Sequence, residues 1–292
     1  MDLTLAKSFL LVSEIGSISE AANRLRITQS ALSRRIQQFE KQLGGQLIYR
    51  SRKGIELTEI GKIAFNECGK LINIHRRLLE SISSQQGLKS GCVKIGGGAT
   101  AVSHILPFTI AKFREKHPEI LFQLKEAGSA EVAKNVSNGD IELGIVTLPL
   151  NEQGLSIEHT IIDDIVLISH HDHPLTKQKN IKTKDLIKFP FVGFDSDTVL
   201  RKLIDEKIRK LGYEIQIVME LRSIPSILQM VITTGSLAFV SRLAIKDNNQ
   251  VKELQIVDLK IARKLALISK KNLGLSKPSQ TFLIKLKKFL TN

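Results

Sequence analysis

Residues 17–43 read SISEAANRLRITQSALSRRIQQFEKQL, and this stretch decides how the N-terminal part of the chain folds. Its second half has the 4-3-4 spacing of apolar side chains that is typical of a helix with one buried stripe. That stripe consists of Leu32, Ile36, Phe39 and Leu43. Ser17 and Glu20 stand three residues apart, as in the capping box that starts a helix, and Thr28 can cap the second half. The stretch therefore predicts two short helices joined by a tight turn, a helix-turn-helix.

The outward face of the second predicted helix carries only hydrogen-bonding and cationic side chains. In a helix-turn-helix the second helix enters the major groove of DNA, and the side chains near its N-terminus reach the base edges. The predicted DNA contacts in this region are Thr28, Gln29, Ser30, Ser33, Arg34, Arg35 and Gln37. Lysine and arginine cluster between positions 24 and 53 with only Glu40 against them, and such clusters neutralise DNA phosphates. DNA binding is therefore predicted over the alternative of a merely solvated helix pair.

A wing is predicted directly after this helix. Two glycines follow the helix, as at a helix C-terminus, and residues 46–49 and 55–57 form two short predicted strands around a cationic tip. Arg50 and Arg52 at this tip are predicted to contact the DNA backbone or the adjacent minor groove. The N-terminal part is thus predicted to be a winged helix-turn-helix.

A long helix is predicted from the cap Thr58 to about residue 86. Its apolar stripe consists of Ile60, Ala64, Leu71, Ile74 and Leu78. Nothing that follows in sequence obviously covers this stripe, so we expect it to pair with the same helix of a second subunit. The alternative is that the stripe packs on its own domain.

From residue 91 onwards, short apolar strands alternate with amphipathic helices. The first predicted strands are residues 92–95, 121–125 and 143–146, with helices over 102–116 and 131–138 between them. This βαβαβ order predicts a parallel sheet with right-handed crossovers. A second set has predicted strands over 165–168, 191–193, 215–220 and 237–240, helices over 198–211 and 223–234, then a strand over 265–268 and a helix over 278–290. Two α/β units in one chain imply a cleft between them.

Glycine and hydroxyl side chains follow the ends of the predicted strands. Open parallel sheets bind ligands at the carboxyl ends of their strands, and free N–H groups at a helix start attract anions. The predicted effector contacts are Gly98, Thr100, Ser129 and Thr147 in the first set and Phe194, Asp195 and Ser223 in the second. We therefore expect an anionic or carboxylate effector here. The alternative is that Thr100 and Ser129 only cap helices.

Composition limits the partners and the compartment. The 292 residues are 42 % hydrophobic and carry a net charge of +14, which favours a polyanionic partner, although lysines also crowd the C-terminal end. The two cysteines, Cys68 and Cys92, form no CxxC pair and predict neither a disulfide framework nor a structural zinc site. Neither a signal peptide nor a membrane span is indicated. We expect a soluble, cytoplasmic protein.

No catalytic or cofactor site is predicted. His170, His171, Asp172 and His173 are metal-ligand types, but ligands so close in sequence rarely reach one tetrahedral ion, so no metal is expected. The three glycines at 96–98 match neither a dinucleotide-binding nor a phosphate-binding loop, and no nucleophile or paired acid/base pattern is present.

Several segments resemble the LysR-type transcriptional regulators. Residues 9–62, FLLVSEIGSISEAANRLRITQSALSRRIQQFEKQLGGQLIYRSRKGIELTEIGK, are similar to that family's DNA-binding domain. VKIGGGATAVSHILPFTIAKFREKHPEI, NGDIELGIV and HDHPL resemble its effector-binding domain. The resemblance implies a dimerising linker helix, a two-lobed sensor like periplasmic solute-binding proteins, tetramers, bent promoter DNA and a small co-inducer. One departure is Gln29-Ser30, where the family usually has Gln-Pro.

These observations predict an α/β protein with an N-terminal winged helix-turn-helix, a long linker helix and a C-terminal two-lobed periplasmic-binding-protein-like domain. The expected boundaries are 1–58, 59–88 and 89–292, with lobe I at about 89–161 and 266–292 and lobe II at about 162–265. The expected function is sequence-specific DNA binding that regulates transcription, modulated by a small molecule bound between the lobes. The alternative is a cytoplasmic small-ligand-binding or enzymatic α/β protein with a DNA-binding appendage.

Overall fold

A computed structural model describes residues 2–51, 54–83, 91–246 and 248–291. The chain forms two compact units, which divide between residues 83 and 91. The first unit contains α1 (Leu3–Ile15), α2 (Ile18–Leu25), α3 (Gln29–Leu43), β1 (Ile48–Ser51), β2 (Gly54–Leu57) and α4 (Glu59–Ser83).

The helix-turn-helix forms where it is predicted. Ser17 Oγ accepts a hydrogen bond from the Glu20 N–H at 3.3 Å and starts α2, and Thr28 Oγ1 accepts from the Ala31 N–H at 3.2 Å and starts α3. The apolar stripe of α3 is buried at Leu32, Ile36 and Phe39. Leu43 was predicted to join this core, but it is 40 % exposed because α3 ends there, at the left-handed Gly44.

The wing begins two residues later than predicted. β1 pairs antiparallel with β2, with Ile48 opposite Leu57. Glu40 Oε1 accepts hydrogen bonds from the N–H groups of Leu47 at 2.8 Å and Ile48 at 3.4 Å. The Gln46 carbonyl accepts from the Thr58 hydroxyl at 2.6 Å. Residues 46 and 47 are therefore bound to α3 and to the start of α4, and they cannot form the strand ladder.

Helix α4 begins at its predicted cap, where Thr58 Oγ1 accepts a hydrogen bond from the Gly61 N–H at 2.9 Å. Its predicted stripe is divided between two environments. Ala64 is buried, and with Cys68 it packs into the core of the first unit, so the interpretation of Ala64 as uncovered was wrong. The exposed apolar side chains of this helix are Ile60, Ile63, Leu71, Ile74, Leu78, Leu79 and Ile82. The predicted end near residue 86 lies outside the described residues.

Replacing two glycines of α4 by alanine is expected to change stability in opposite directions. A Cβ on Gly61 would stand 2.0 Å from the Leu47 carbonyl oxygen, whereas a Cβ on Gly69 meets no described atom within 4 Å. Alanine is favoured over glycine in a helix by about 1 kcal/mol, but overpacking costs roughly 1–3 kcal/mol. We expect Gly69→Ala to stabilise and Gly61→Ala to destabilise by roughly 1–2 kcal/mol in urea unfolding. Equal stability of the two variants would contradict the close contact.

The second unit contains one mixed sheet, a smaller sheet and the helices that cover them. Its elements are β3 (Gly91–Gly97), a π-helical turn (Ala101–Ile105), α5 (Leu106–Arg114), β4 (Ile120–Glu126), α6 (Ser129–Asn138), β5 (Leu143–Thr147), β6 (Leu155–His170), a 3-10 turn (Pro174–Lys177), α7 (Thr183–Leu186), β7 (Pro190–Phe194), α8 (Val199–Arg209), β8 (Gln216–Leu221), α9 (Ile224–Thr234), β9 (Ala238–Ser241), a 3-10 turn (Arg242–Ala244), β10 (Val251–Leu254), β11 (Ile261–Lys270) and α10 (Lys277–Thr291).

The sheet order shows two lobes joined by two long strands. The main sheet runs β10-β6-β11-β5-β3-β4, and β9 also pairs with β6. β3 is parallel to β4 and β5, whereas β11 is antiparallel to β5 and β6. We call β3 to β5 with α5, α6 and α10 lobe I, and β7 to β10 with α7 to α9 lobe II. β6 and β11 pair with each other and carry the sheet from one lobe to the other.

Three expectations for this unit need correction. The predicted strands over 165–168 and 265–268 are short pieces of β6 and β11, and β10 was not predicted. The sheet is mixed and not purely parallel. The predicted helix over 102–116 starts as a π-helical turn, and α5 follows it with Pro107 in its first turn. Proline has no N–H to donate to the regular helical ladder, which accounts for the irregular start.

None of the described helices is both long and apolar enough to cross a membrane.

Candidate DNA-binding face and effector site

The outer face of α3 presents the predicted base-contacting side chains. Gln29, Ser30, Arg34 and Gln37 are exposed, and Ser33 is partly exposed. We call these five residues the α3 face. Thr28 is exposed and caps the helix, and its hydroxyl lies 3.1 Å from the Ser30 hydroxyl. Ser30, which replaces the usual proline, thus joins the cap and keeps its backbone N–H.

The structure describes the three other arginines that were predicted to contact DNA to different extents. Arg35 is half-buried on the flank of α3, and its Nη1 donates to Ser8 Oγ of α1 at 3.4 Å. It is directed towards α1, so it does not belong to the α3 face. Arg50 lies in β1, and only its backbone is described. Arg52 lies outside the described residues.

Thr100 is part of a polar chain that no local pattern predicted. Its hydroxyl oxygen accepts from Arg263 Nη2 at 2.8 Å, and Arg263 Nε donates to Asp163 Oδ2 at 2.7 Å. The second oxygen of Asp163 accepts from the Ser241 hydroxyl at 2.5 Å. Asp163 and Arg263 are directly opposite each other on β6 and β11. The chain therefore joins Thr100 of lobe I, both long strands and Ser241 of lobe II.

The alternative that Thr100 only caps a helix is not supported by its geometry. Thr100 already has helical backbone angles, and its side chain makes no capping hydrogen bond. It is buried, and the Arg263 guanidinium uses one lone pair of its hydroxyl. The hydroxyl proton finds no acceptor among the described residues, so the group can still donate to an oxygen of a ligand.

The other predicted residues of lobe I lie at two neighbouring strand ends. Ser129 Oγ accepts a hydrogen bond from the Thr147 N–H at 2.9 Å, which joins the start of α6 to the end of β5. The Gly98 carbonyl accepts from the Val102 N–H at 3.1 Å, and the preceding Gly97 accepts from Ala127 at 3.1 Å. The parallel strands β3, β4 and β5 thus bring these residues to one edge of the sheet.

The predicted residues of lobe II differ in their access to solvent. Phe194 is buried and packs in the core of lobe II, and its contact with an effector stays a prediction. The Asp195 carboxylate accepts from Arg222 Nε, and this pairing cancels its charge locally. Ser223 is exposed at the start of α9, and its side chain makes no capping hydrogen bond.

His104 lies beside the candidate effector residues and was not predicted to be among them. It lies one turn after Thr100 on the π-helical turn, and its Nε2 is buried without a hydrogen-bond partner in the described chain. Burial lowers the pKa of this imidazole, and the nearby Asp163 carboxylate acts in the opposite direction. The ring is therefore neutral at neutral pH. The four-residue spacing from Thr100 was the one available signal.

Two further features lie apart from these residues. A concavity of about 200 Å³ beside α8 is lined by Arg201, Asp205, Ile208, Arg209, Tyr213, Glu214 and Ile215, and none of these was predicted to bind an effector. His170, His171 and Asp172, which were not predicted to bind a metal, place one ligand atom each within 4.8 Å of the others.

Two family models match the chain. Residues 3–62 match the bacterial regulatory helix-turn-helix protein of the lysR family, and residues 86–290 match the LysR substrate binding domain. The chain belongs to the LysR family. As a LysR-family protein it is a DNA-binding regulator of transcription with an effector-binding domain, and the predicted family, fold class and general function are confirmed.

Individual relatives agree with this assignment. A probable RuBisCO transcriptional regulator of Cyanidioschyzon merolae is 31 % identical over 280 residues, which is 91 % of each chain. Full-length CbnR complexed with target DNA has a TM-score of 0.73 at 19 % identity, covering 99 % of this chain and 100 % of that one. The Synechocystis PCC6803 CcmR regulatory domain in complex with 2-PG has a TM-score of 0.63 at 22 % identity, covering 70 % and 99 %. The two structural likenesses concern the fold.

Proposed function

We propose that this LysR-family protein binds promoter DNA as a dimer through the α3 face and changes its activity when a small anionic effector binds near Thr100. The observation that carries the DNA-binding part is the α3 face itself. Its exposed members are all polar or cationic, while the opposite side of α3 is buried at Leu32, Ile36 and Phe39. A helix fixed in this way presents a rigid set of donors and acceptors to base edges.

Fluorescence anisotropy with the full-length protein tests the DNA-binding part. A labelled duplex from the region upstream of its own gene is titrated against an unrelated duplex of equal length at several salt concentrations. We expect tighter binding to the upstream duplex, with an affinity that falls as salt rises. Equal binding to both duplexes at every salt concentration would contradict specific recognition of this upstream region. We further propose that the protein catalyses no reaction. Its proposed location is the cytoplasm, where promoter DNA is accessible.

The effector part of the proposal rests on unused donors at one edge of lobe I. Thr100 retains a hydroxyl proton, and the helical segments that begin near Thr100 and Ser129 present their positive ends at the same edge. Two carboxylates near the site are already paired, Asp163 with Arg263 and Asp195 with Arg222. The arrangement therefore suits a ligand that brings acceptor oxygens and negative charge.

Thr100→Val tests this assignment because valine keeps the shape and removes the hydroxyl. Thermal unfolding is measured with small carboxylates, sulfate and 2-PG, the ligand of the CcmR regulatory domain. An effector that raises the melting temperature of the wild type is expected to bind the variant about tenfold more weakly, which corresponds to one lost hydrogen bond to a charged group. Equal stabilisation of both proteins would place the effector elsewhere.

Dimerisation is proposed to use the exposed apolar side of α4. Leu71, Ile74 and Leu78 are 42 %, 52 % and 57 % exposed and follow a 3-4 spacing, as helices that pair through an apolar seam do. Ile74→Asp is expected to weaken the dimer by roughly 1–3 kcal/mol, because it puts a charge into the seam. Lys62→Asp, on the opposite side of α4, is the control and should leave the dimer intact. Analytical ultracentrifugation measures both, and a wild-type monomer would contradict the proposal.

A further inference from the structure

We propose that His170, His171 and Asp172 form a binding site for one divalent transition-metal ion. The three residues follow one another in the turn after β6, in lobe II. The site does not depend on the proposed DNA and effector contacts. The sequence predicts no metal here, because the three residues are adjacent in the chain.

The distances from the Asp172 carboxylate to the two imidazoles are close to those around a single ion. Asp172 Oδ2 lies 3.3 Å from His171 Nε2 and 3.7 Å from His170 Nδ1. Zinc binds nitrogen and oxygen at about 2.0–2.2 Å, so neighbouring ligands of a tetrahedral ion stand roughly 3.3–3.6 Å apart. The observed separations lie in or close to this interval. All three ligand atoms lie within 4.8 Å of one another, and side-chain rotation would have to bring them around one centre.

The backbone of the turn is fixed on both sides of the three residues. His170 ends β6 and pairs with Val251 of β10. The His173 N–H donates to the His170 carbonyl at 3.1 Å and closes the turn. His173 Nδ1 in turn accepts from the Leu175 N–H at 3.2 Å and starts the 3-10 turn. The turn holds His171 and Asp172 at its tip, so binding an ion requires little ordering of the chain.

The nitrogen of His170 that faces the group carries a lone pair. His170 Nδ1 accepts a hydrogen bond from the Asp172 N–H at 3.4 Å, which is close to the upper limit for such a bond. Coordination would replace this weak bond and cost little. The imidazole rings of His170 and His171 have their centroids 3.9 Å apart. Two imidazoles on one tetrahedral ion stand roughly 5 Å apart, so the two rings would separate on binding.

The ligand set selects the class of metal. Two imidazoles and one carboxylate suit zinc, cobalt, nickel or copper, whereas magnesium and calcium prefer oxygen ligands alone. The side chains of His171 and Asp172 are 60 % and 78 % exposed, so water can complete the coordination. A site with three protein ligands and this exposure should bind in the micromolar range and exchange its ion readily.

Isothermal titration of the full-length, tag-free and chelator-treated protein with zinc chloride tests the proposal. We expect the wild type to bind one ion per chain. His171→Ala should bind zinc at least about tenfold more weakly. Asp172→Asn keeps the shape of the side chain but removes its charge, and it should also bind zinc more weakly. The visible absorption of bound cobalt(II), which depends on its ligands and geometry, supplies a second readout.

His117→Ala is the matched control, because it removes an imidazole outside this group, one that packs against Phe113. This variant should bind zinc as the wild type does, and circular dichroism of all variants should be unchanged. The proposal is overturned if the wild type binds no zinc at micromolar concentration. It is equally overturned if His171→Ala binds one ion with wild-type affinity, because the ion would then lie at another place.

Discussion

Asp163→Ala is expected to lower the free energy of unfolding of the effector-binding domain by about 3–5 kcal/mol. The Asp163 side chain has no exposed surface, and its two oxygens accept hydrogen bonds from Arg263 and Ser241. Arg263 is only 10 % exposed on its side chain. Removal of the carboxylate would leave a nearly buried guanidinium without a counter-charge, which is far more costly than the pair itself is stabilising.

The neighbouring residue supplies the control. Asp164 follows Asp163 on β6 and pairs with Arg242, but the two side chains are 49 % and 51 % exposed. Exposed pairs contribute little, so Asp164→Ala should cost less than about 1 kcal/mol. Urea unfolding followed by circular dichroism measures both variants. Similar losses for the two would show that burial of the Asp163 pair has no energetic consequence.

The helix-turn-helix was predictable because its determinants are close in sequence. The caps at Ser17 and Thr28 and the stripe of α3 lie within residues 17–43, and each defines local structure without reference to distant residues. The wing register was not predictable in the same way. It depends on Glu40, whose carboxylate binds the N–H groups of Leu47 and Ile48, and a surface glutamate on a helix gives no sign of that role.

The candidate effector site was predictable only in part. The hydroxyls of Thr100, Ser129 and Thr147 stand at strand ends, and that position is visible in the order of strands and helices. The partners of Thr100 were not visible, because Arg263 comes 163 residues later and pairs with Asp163 across two long strands. Residues 157–164, IEHTIIDD, mix apolar and charged side chains, and this part of β6 was not recognised as a strand. Because this part of β6 was not predicted, its pairing with β11 and the Asp163–Arg263 ion pair could not be predicted either.

Arg34→Ala is expected to weaken binding to the specific duplex by roughly 1–3 kcal/mol for each recognition helix, or about twice that for a dimer on two half-sites. Arg34 is exposed on the first half of α3, on the same face as Ser30 and Gln37. An arginine in this position can donate two hydrogen bonds to a guanine edge or can hold a phosphate. Alanine has the highest helix propensity, so the variant should keep α3 and lose only the contact.

The salt dependence of binding separates the two roles of Arg34. If Arg34 reads a base, Arg34→Ala loses affinity for the specific duplex, discriminates less against the unrelated duplex and keeps its salt slope. If it holds a phosphate, both affinities fall together and the slope decreases by about one for each contact. Lys7→Ala removes the same charge from an exposed position on α1 and is the control. Wild-type affinity of Arg34→Ala at every salt concentration would exclude Arg34 from the interface and contradict its assignment as a DNA contact.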